Sequence, residues 1–297
     1  MVEEKVSFFD AIESNERKSN LLLGAMFLFS LILLWFCLYF FIDWEFALVI
    51  ALIISSVYIF FSYKSGMSLI MNVSNARPLK KEEYPHLHHV IEGLSLSAGI
   101  PVPKAYIIDD PAPNAFATGT NPNNAAVAVT TGLLETLNQR ELTAVMAHEI
   151  SHIANRDIKY ALVAIVVVGF VAIIAQLFGR MFLYSGSGSR KGGSAYLVII
   201  GIILLIFAPI FAQLVRFALS REREYLADAN GSKLTRDPQG LSSALEKISK
   251  YTGGVKSATD ITAPLYFSNP LKGKPLTGLF STHPEISSRI SRLQSLI

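Results

Sequence analysis

The sequence has only one cysteine, Cys37, and it lies inside an apolar run. One cysteine makes no internal disulfide, and it excludes a metal site built from several thiolates. Charged residues are also scarce, at 16% of the 297 residues, against about 25% in average chains. The net charge of +3 is too small to indicate a nucleic-acid partner. The composition therefore favours a membrane protein whose metal ligands, if it has any, are histidine and carboxylate.

Long apolar stretches replace the missing charge. Four are long enough to cross a bilayer, which takes about 20 helical residues, namely 21–42, 46–63, 160–184 and 196–219. The first has no cleavage signature and leads at once into the second, so we expect it to be a span and not a signal peptide. The spans carry almost no internal ionisable residues, which disfavours a transporter.

These spans divide the chain into five parts. We predict a cytoplasmic N-terminal segment, a first membrane hairpin, a first polar part, a second membrane hairpin and a second polar part, at residues 1–20, 21–63, 64–157, 158–219 and 220–297. Within the first polar part, the apolar periodicity predicts a helix over 82–98 and strands over 104–109 and 125–131.

A second helix is marked by its start signal. Asn138 followed by Glu141 is typical of an N-cap with its reciprocal partner, so a helix should begin near Gln139. We expect this helix to continue without a break into the third span.

This helix carries the pentapeptide His148-Glu149-Ile150-Ser151-His152. Residues four apart share one face of a helix, so both histidines can bind one ion, and Glu149 can reach a water bound to it. Zinc lowers the pKa of such a water to about 7. The alternative is a helix with two surface histidines. The HExxHxxGxxH subclass is excluded, because the later positions hold Asn155 and Ile158.

A third ligand is available in Arg223-Glu224-Tyr225-Leu226-Ala227-Asp228. Glu224 and Asp228 share a helix face, so the first can bind the metal while the second orients a ligand histidine. The alternative is a solvated helix that pairs these acids with Arg221 and Arg223. Two spans separate Glu224 from His152, which returns the chain to the same membrane face, and both residues lie within roughly 10 Å of it.

With these two motifs and four spans in this order, the chain resembles the HtpX family of membrane zinc metalloproteases. It is similar, more distantly, to the CAAX prenyl-protein endopeptidases. The resemblance implies a mainly α polytopic membrane protein with four transmembrane helices and a zincin-like (gluzincin) α+β catalytic domain with a small sheet. It also implies one zinc ion per subunit, held by His148, His152 and Glu224, with Glu149 catalytic.

The implied activity is endopeptidase cleavage of misfolded or damaged membrane proteins, by Glu-assisted attack of zinc-bound water. The expected partners are membrane-protein or unfolded polypeptide substrates and the lipid bilayer, with no nucleic acid and an open oligomeric state. A CAAX-type prenyl-peptide endopeptidase and a non-catalytic zinc-containing scaffold are the alternatives.

The resemblance further places Asn114 and His283 near the substrate or the oxyanion. Thr282 and Glu285 form a capping-box pattern that predicts His283 in the first turn of the last helix. Packing of His283 beside its neighbouring proline, and an Asx-turn at Asn114, are the structural alternatives. Residues 125–131 are expected to be an edge strand that pairs with substrate.

The distribution of basic residues predicts the orientation. Lysine and arginine favour the cytoplasmic side of a membrane. They are numerous on the side of the HEISH motif, and the turn of the first hairpin has none. Arg180, Arg190 and Lys191 at the second turn oppose this, but they are fewer. We expect both termini and the catalytic domain in the cytoplasm, in the plasma membrane of a prokaryote.

Overall fold

The computed structural model describes residues 8–39, 41–185, 221–259, 261–271 and 284–296. Two long helices come first, α1 (Phe8–Tyr39) and α2 (Trp44–Val73). Asn20–Tyr39 within α1, and α2 as a whole, are long and apolar enough to span a membrane, with hydropathies of 2.6 and 2.3. Among the described residues these are the two candidate spans. The predicted fourth span, residues 196–219, lies outside the described residues, so the prediction of four spans is not confirmed.

The third predicted span is helical. It lies in α6, Asp157–Ser185, which packs against α1 and α2. Their shared core includes Leu33, Cys37, Ala51 and Phe170. Cys37 is fully buried in this core and packs there as a small apolar residue.

A four-stranded sheet begins directly after α2 in the chain, and its strand order is β1-β2-β4-β3. Its strands are β1 (Ala76–Pro78), β2 (Lys104–Ile108), β3 (Ala115–Asn121) and β4 (Asn124–Thr130). β2 and β4 are parallel, whereas the β1–β2 and β3–β4 pairs are antiparallel. The two predicted strands are confirmed to within a residue, and β1 and β3 were not predicted.

The edge strand differs from the prediction. Residues 125–131 fall in β4, which lies inside the sheet between β2 and β3. The short turn between Asn121 and Asn124 folds β3 back against β4, so β3 covers the side that the sequence left open. The edge strand on this side of the sheet is therefore β3, and its residues 115–120 are buried.

Both faces of the sheet are covered, and β4 alternates between two cores. Val127 and Val129 pack with α3 (Pro85–Ala98), α5 (Gln139–Ala154) and α8 (Pro238–Lys250). Ala126 and Ala128 pack with the end of α2, with α6 and with Tyr266. Because both faces of β4 are buried, its sequence is apolar from Ala125 to Val129 and does not alternate with polar residues.

The N-terminus of α5 confirms its start signal, just after the short α4 (Thr131–Thr136). The Asn138 side chain accepts from Glu141 N, and the Glu141 carboxylate accepts from Asn138 N, both at 3.0 Å. Glu141 also accepts from Ser243 Oγ at 2.6 Å and from Lys247 Nζ at 2.7 Å. The cap therefore also fixes α5 to α8.

The prediction that α5 runs unbroken into the third span is wrong. α5 ends at Ala154, and α6 begins at Asp157. Between them Arg156 has a φ of 61°, a left-handed conformation that interrupts a right-handed helix. Asn155 is the C-cap of α5 and accepts from Asn230 Nδ2 at 3.2 Å. The motif helix and the apolar helix are therefore separate elements joined by a sharp turn.

The remaining described helices are α7 (Arg221–Thr235), a 3₁₀ turn (Ala263–Leu265) and α9 (Ile286–Gln294). The predicted start of the last helix is wrong. Glu285 is the N-cap of α9 and is extended, with a φ of −58° and a ψ of 138°, and its side chain makes no capping bond. His283 therefore precedes α9, and both Thr282 and His283 lie outside the described residues.

Candidate metal centre

Two helices bring three potential ligands together. His148 and His152 extend from one face of α5, and Glu224 extends towards them from the first turn of α7. Ligand atoms of the three residues all lie within 4.8 Å of one another. His148 Nε2 lies 3.7 Å from Glu224 Oε2, and His152 Nε2 lies 3.5 Å from Glu224 Oε1. Two imidazole nitrogens and one carboxylate are a donor set that suits zinc and leaves a coordination position open.

A glycine lets α7 approach α5 this closely. Glu224, Asp228 and Gly231 are spaced at i, i+4 and i+7 and form one stripe of α7. A Cβ added at Gly231 would lie 2.9 Å from the backbone nitrogen of His148, nearer than real Cβ atoms come. Gly231 therefore lies one turn after Asp228, at the point where the backbones of α5 and α7 come closest and leave no room for a side chain.

His148 is held in place by a buried ion pair. Its Nδ1 lies 2.9 Å from Asp228 Oδ1. Arg289 of α9 donates to both oxygens of this carboxylate, at 2.6 and 2.8 Å, and to Phe267 O at 3.0 Å. Arg289 is 1% exposed and Asp228 4%. The solvated-helix interpretation is therefore wrong for Asp228.

The second histidine also has a carboxylate partner. His152 Nδ1 lies 3.1 Å from Asp157 Oδ2. Asp157 is the first residue of α6, and it is 6% exposed. Both ligand histidines thus direct Nδ1 to a buried carboxylate and Nε2 towards the common centre.

Glu149 is buried beside the two histidines, with 1% of its surface exposed. The backbone N–H of Ala117 in β3 donates to its carboxylate. Oε1 has no hydrogen-bond partner among the described residues. Burial raises the pKa of Glu149 to about 7, a value that suits a group that takes and returns a proton near neutral pH.

The pKa values of the two histidines are shifted in opposite directions. Burial lowers the pKa of His148 to about 4, although its bond to Asp228 opposes the change. Burial also acts to lower the pKa of His152, but the bond to Asp157 and the charge of Glu224 outweigh it and raise this pKa to about 9. Without metal, His152 is therefore protonated at neutral pH, and its Nε2 can donate to His148 Nε2 at 3.1 Å.

A narrow cleft of about 40 Å³ opens onto the site. Its walls come from β3, α5, α6, α7 and the 3₁₀ turn, and they include Ala117, Glu149, His152, Arg223 and Leu265. Arg223 lies over the ring of Tyr160 at 4.4 Å, and burial lowers its pKa. Glu149, His152 and Glu224 therefore line the inner end of this cleft.

Asn114 lies at the start of β3, in a buried position. Its Nδ2 donates to Ser268 O at 2.9 Å, and its Oδ1 accepts from Ser268 N at 3.2 Å and from Ala115 N at 3.1 Å. The side chain therefore pairs with the Ser268 backbone and ties β3 to the chain that follows the 3₁₀ turn. A contact between Asn114 and substrate stays a prediction.

Sequence reasoning missed two residues of this centre. Asp157 follows His152 by five positions, a spacing that would point away from it on a continuous helix, so only the break after Ala154 makes the contact. Arg289 lies 61 residues beyond Asp228 and has no local signal. A search for buried-charge partners of Asp228 would have had to consider every arginine in the second polar part.

The chain is similar to known proteins in sequence and in fold. Peptidase family M48 matches residues 81–297. The protease HtpX homolog of Dictyoglomus turgidum is 46% identical over 290 residues, covering 98% of this chain and 95% of that protein. The homolog of Listeria monocytogenes is 41% identical over 308 residues, covering 97% and 99%. The crystal structure of Ste24p from S. mikatae shares the fold, with a TM-score of 0.52 and 21% identity over 95% of this chain and 66% of that one.

The residues matched by the family include His148, Glu149, His152 and Glu224, and the HtpX homologs match nearly the full length of the chain. This agrees with the resemblance found in the sequence. The chain therefore belongs to peptidase family M48, as a relative of the HtpX proteases, and is a metalloendopeptidase.

Proposed function

We propose that this metalloendopeptidase is zinc-dependent, is embedded in the membrane, and cleaves misfolded or damaged membrane proteins at the cytoplasmic face. The observation that carries the proposal is the convergence of His148, His152 and Glu224 within 4.8 Å, beside the buried Glu149. These three residues would hold one zinc ion per subunit. Bound there, zinc supplies Lewis-acid polarisation of a peptide carbonyl and lowers the pKa of water to about 7.

Glu149 is the proposed proton carrier. Its Oε1 has no hydrogen-bond partner among the described residues, so this oxygen can accept a proton from the attacking water and return it to the leaving amine. The Ala117 N–H fixes the other side of the carboxylate. A carboxylate that is fixed by one hydrogen bond, and whose Oε1 accepts none from the described residues, is suited to repeated proton transfer.

β3 is the proposed docking edge for substrate. Backbone groups along an antiparallel edge strand point alternately to the partner strand and to the open side. Because Asn114 O accepts from Thr130 N of β4 and Ala115 O accepts from Phe267 N, we expect Ala117 and Gly119 to direct their backbone groups away from β4 as well. Two of these groups are already paired, the carbonyl of Ala115 with Phe267 N at 2.8 Å and the N–H of Ala117 with the Glu149 carboxylate. An extended polypeptide would therefore pair with the later part of β3, next to Glu149.

The proposed membrane arrangement keeps four spans, with α1, α2 and α6 as three of them and residues 196–219 as the fourth. The five-part division at residues 20, 63, 157 and 219 stays part of this proposal, as do both cytoplasmic termini and a prokaryotic plasma membrane. An introduced cysteine tests the orientation. In a Cys37→Ser background, a cysteine at Asp43 should be labelled from outside the cell, and one at Glu246 only after permeabilisation.

His283 and Asn114 are proposed to act near the substrate or the oxyanion. His283 would donate to the developing oxyanion, which rests on the family resemblance alone. Asn114 would act on the same region through the Ser268 pairing, in addition to any contact with substrate. Replacing either residue by alanine should lower kcat by a larger factor than it lowers the amount of bound zinc.

The decisive experiment compares wild type with Glu149→Gln in proteoliposomes, on a misfolded membrane protein. Cleavage should fall by about 10²- to 10⁴-fold while one zinc per subunit stays bound. Glu246→Gln removes an exposed carboxylate of α8 and should cleave normally. Full activity of Glu149→Gln overturns the mechanism. Zinc content with no cleavage supports the scaffold alternative, and cleavage restricted to prenylated peptides supports the CAAX alternative.

A further inference from the structure

The turn between α5 and α6 has a specific geometric result. On a continuous helix, residues five apart point about 140° away from each other, so Asp157 would lie far from the His152 imidazole. The left-handed φ of 61° at Arg156 ends α5 and starts α6 in a new direction. It brings Asp157 Oδ2 to 3.1 Å from His152 Nδ1. A backbone conformation that is uncommon for arginine is thus used to make this contact.

The contact of Asp157 with His152 has the same arrangement as the contact of Asp228 with His148. Asp228 Oδ1 lies 2.9 Å from His148 Nδ1, and Asp157 stands in the same relation to His152. A carboxylate at Nδ1 keeps the proton on that nitrogen, so the lone pair of Nε2 is available to a metal, and it fixes the ring orientation. The two carboxylates come from different helices, α7 and α6, so the two histidines are oriented independently.

The first turn of α6 also contacts Arg223, the residue before the third ligand. Tyr160, one turn after Asp157, packs under the guanidinium of Arg223 at 4.4 Å, and Arg223 immediately precedes Glu224. Acidic residues are favoured in the first turn of any helix, which by itself would explain an aspartate here. That explanation does not require the side chain to be 6% exposed and directed at a ligand.

We propose that Asp157 is a positioning residue that holds His152 for metal binding, and that the first turn of α6 is thereby part of the metal centre. The inference rests on the ligand set of the proposed function. It assigns to the apolar helix α6 a role in metal affinity as well as in anchoring.

The test uses the full-length protein in lipid nanodiscs, as wild type, Asp157→Asn and Asp157→Glu. Zinc affinity is measured by competition with a chelator, and Co²⁺ is bound to each variant to record its visible absorption spectrum. Asp157→Asn should bind zinc about 10- to 100-fold more weakly and shift the Co²⁺ spectrum, because the ring loses its charged anchor. Asp157→Glu should recover most of the affinity. The matched control Glu246→Gln should bind as wild type.

Wild-type zinc affinity together with an unchanged Co²⁺ spectrum in Asp157→Asn would overturn the proposal. So would loss of the folded state, by circular dichroism, in both Asp157 variants, because the residue would then serve helix packing and not the ligand. Failure of the proposed function has a different outcome. In that case no variant, wild type included, cleaves protein, while the loss of affinity in Asp157→Asn remains.

Discussion

The Nε2 atoms of His148 and His152 lie 3.1 Å apart, so a protonated His152 can share its Nε2 proton with His148 in the metal-free site. The pKa of His152 is raised to about 9, and that of His148 is lowered to about 4. Zinc that binds at a pH between these two pKa values would therefore have to displace one proton, from His152.

The first prediction follows from this sign. Because His152 is protonated below about pH 9, the apparent zinc affinity should rise with pH, about tenfold per unit between roughly pH 5 and 8. Calorimetry in buffers of different ionisation enthalpy should count close to one proton released from the histidine pair. An affinity that is flat over this interval would contradict the shared-proton arrangement.

A second prediction concerns the buried pair of Arg289 and Asp228. Arg289→Met keeps the volume but leaves the Asp228 carboxylate buried without its cation, which should cost about 3–5 kcal/mol of unfolding free energy. Zinc affinity should fall with it, because Asp228 no longer holds His148 firmly. Thermal unfolding and chelator competition measure the two effects.

Arg292→Met is the matched control for that variant. Arg292 is on the same helix, exposed, and packs over the ring of Tyr225 at 3.7 Å. It should change stability little, since exposed contacts contribute little. Equal losses in both variants would mean that α9 as a whole, and not the Asp228 pair, carries the effect.

The third prediction uses two glycines within helices. Alanine is the better helix former by about 1 kcal/mol, so Gly93→Ala in α3, where a Cβ meets nothing within 4 Å, should stabilise the protein. Gly231→Ala should destabilise it and weaken zinc binding, because its Cβ would meet the His148 backbone at 2.9 Å. Melting temperatures that move in the same direction would refute the close-approach argument.

A fourth prediction concerns acid stability at the start of α5. Burial acts to raise the pKa of Glu141, but the bonds from Lys247 and Ser243 outweigh it, and the pKa is lowered. A carboxyl with a lowered pKa stabilises the fold above its ordinary pKa, and this contribution is lost as pH falls. Glu141→Gln should therefore be less stable than wild type at pH 7, with a smaller difference at pH 3. Glu135→Gln, an exposed carboxylate of α4, should follow wild type throughout.

Local patterns predicted the parts of this protein that depend on local physics. The cap at Asn138 and Glu141 was readable because both of its hydrogen bonds join residues three apart. His148, His152 and Glu224 were readable from helical spacing and from the even number of predicted spans between them. β4 was readable as a strand but was predicted at the edge of the sheet. Its place inside the sheet depends on β3, whose polar Thr118 and Thr120 concealed it.

What sequence reasoning could not supply depends on backbone direction and distant partners. A left-handed arginine is an exception to residue preference, so nothing marked Arg156 as the end of a helix. The buried ion pair of Asp228 joins residues of α7 and α9, and arginine is ordinarily a surface residue. Both features became visible only when the helices were placed together in three dimensions.

The pairing between Arg289 and the His148–Asp228 unit also bears on how the protein folds. The contact between Arg289 and His148 closes a loop of 141 residues, and contacts of such long range cost chain entropy and form late. The catalytic histidine should therefore gain its final orientation only after the helices on both sides of that loop have docked. We expect the folding chain to pass most of its pathway as an inactive precursor, so that peptide-bond cleavage begins only when the molecule is complete.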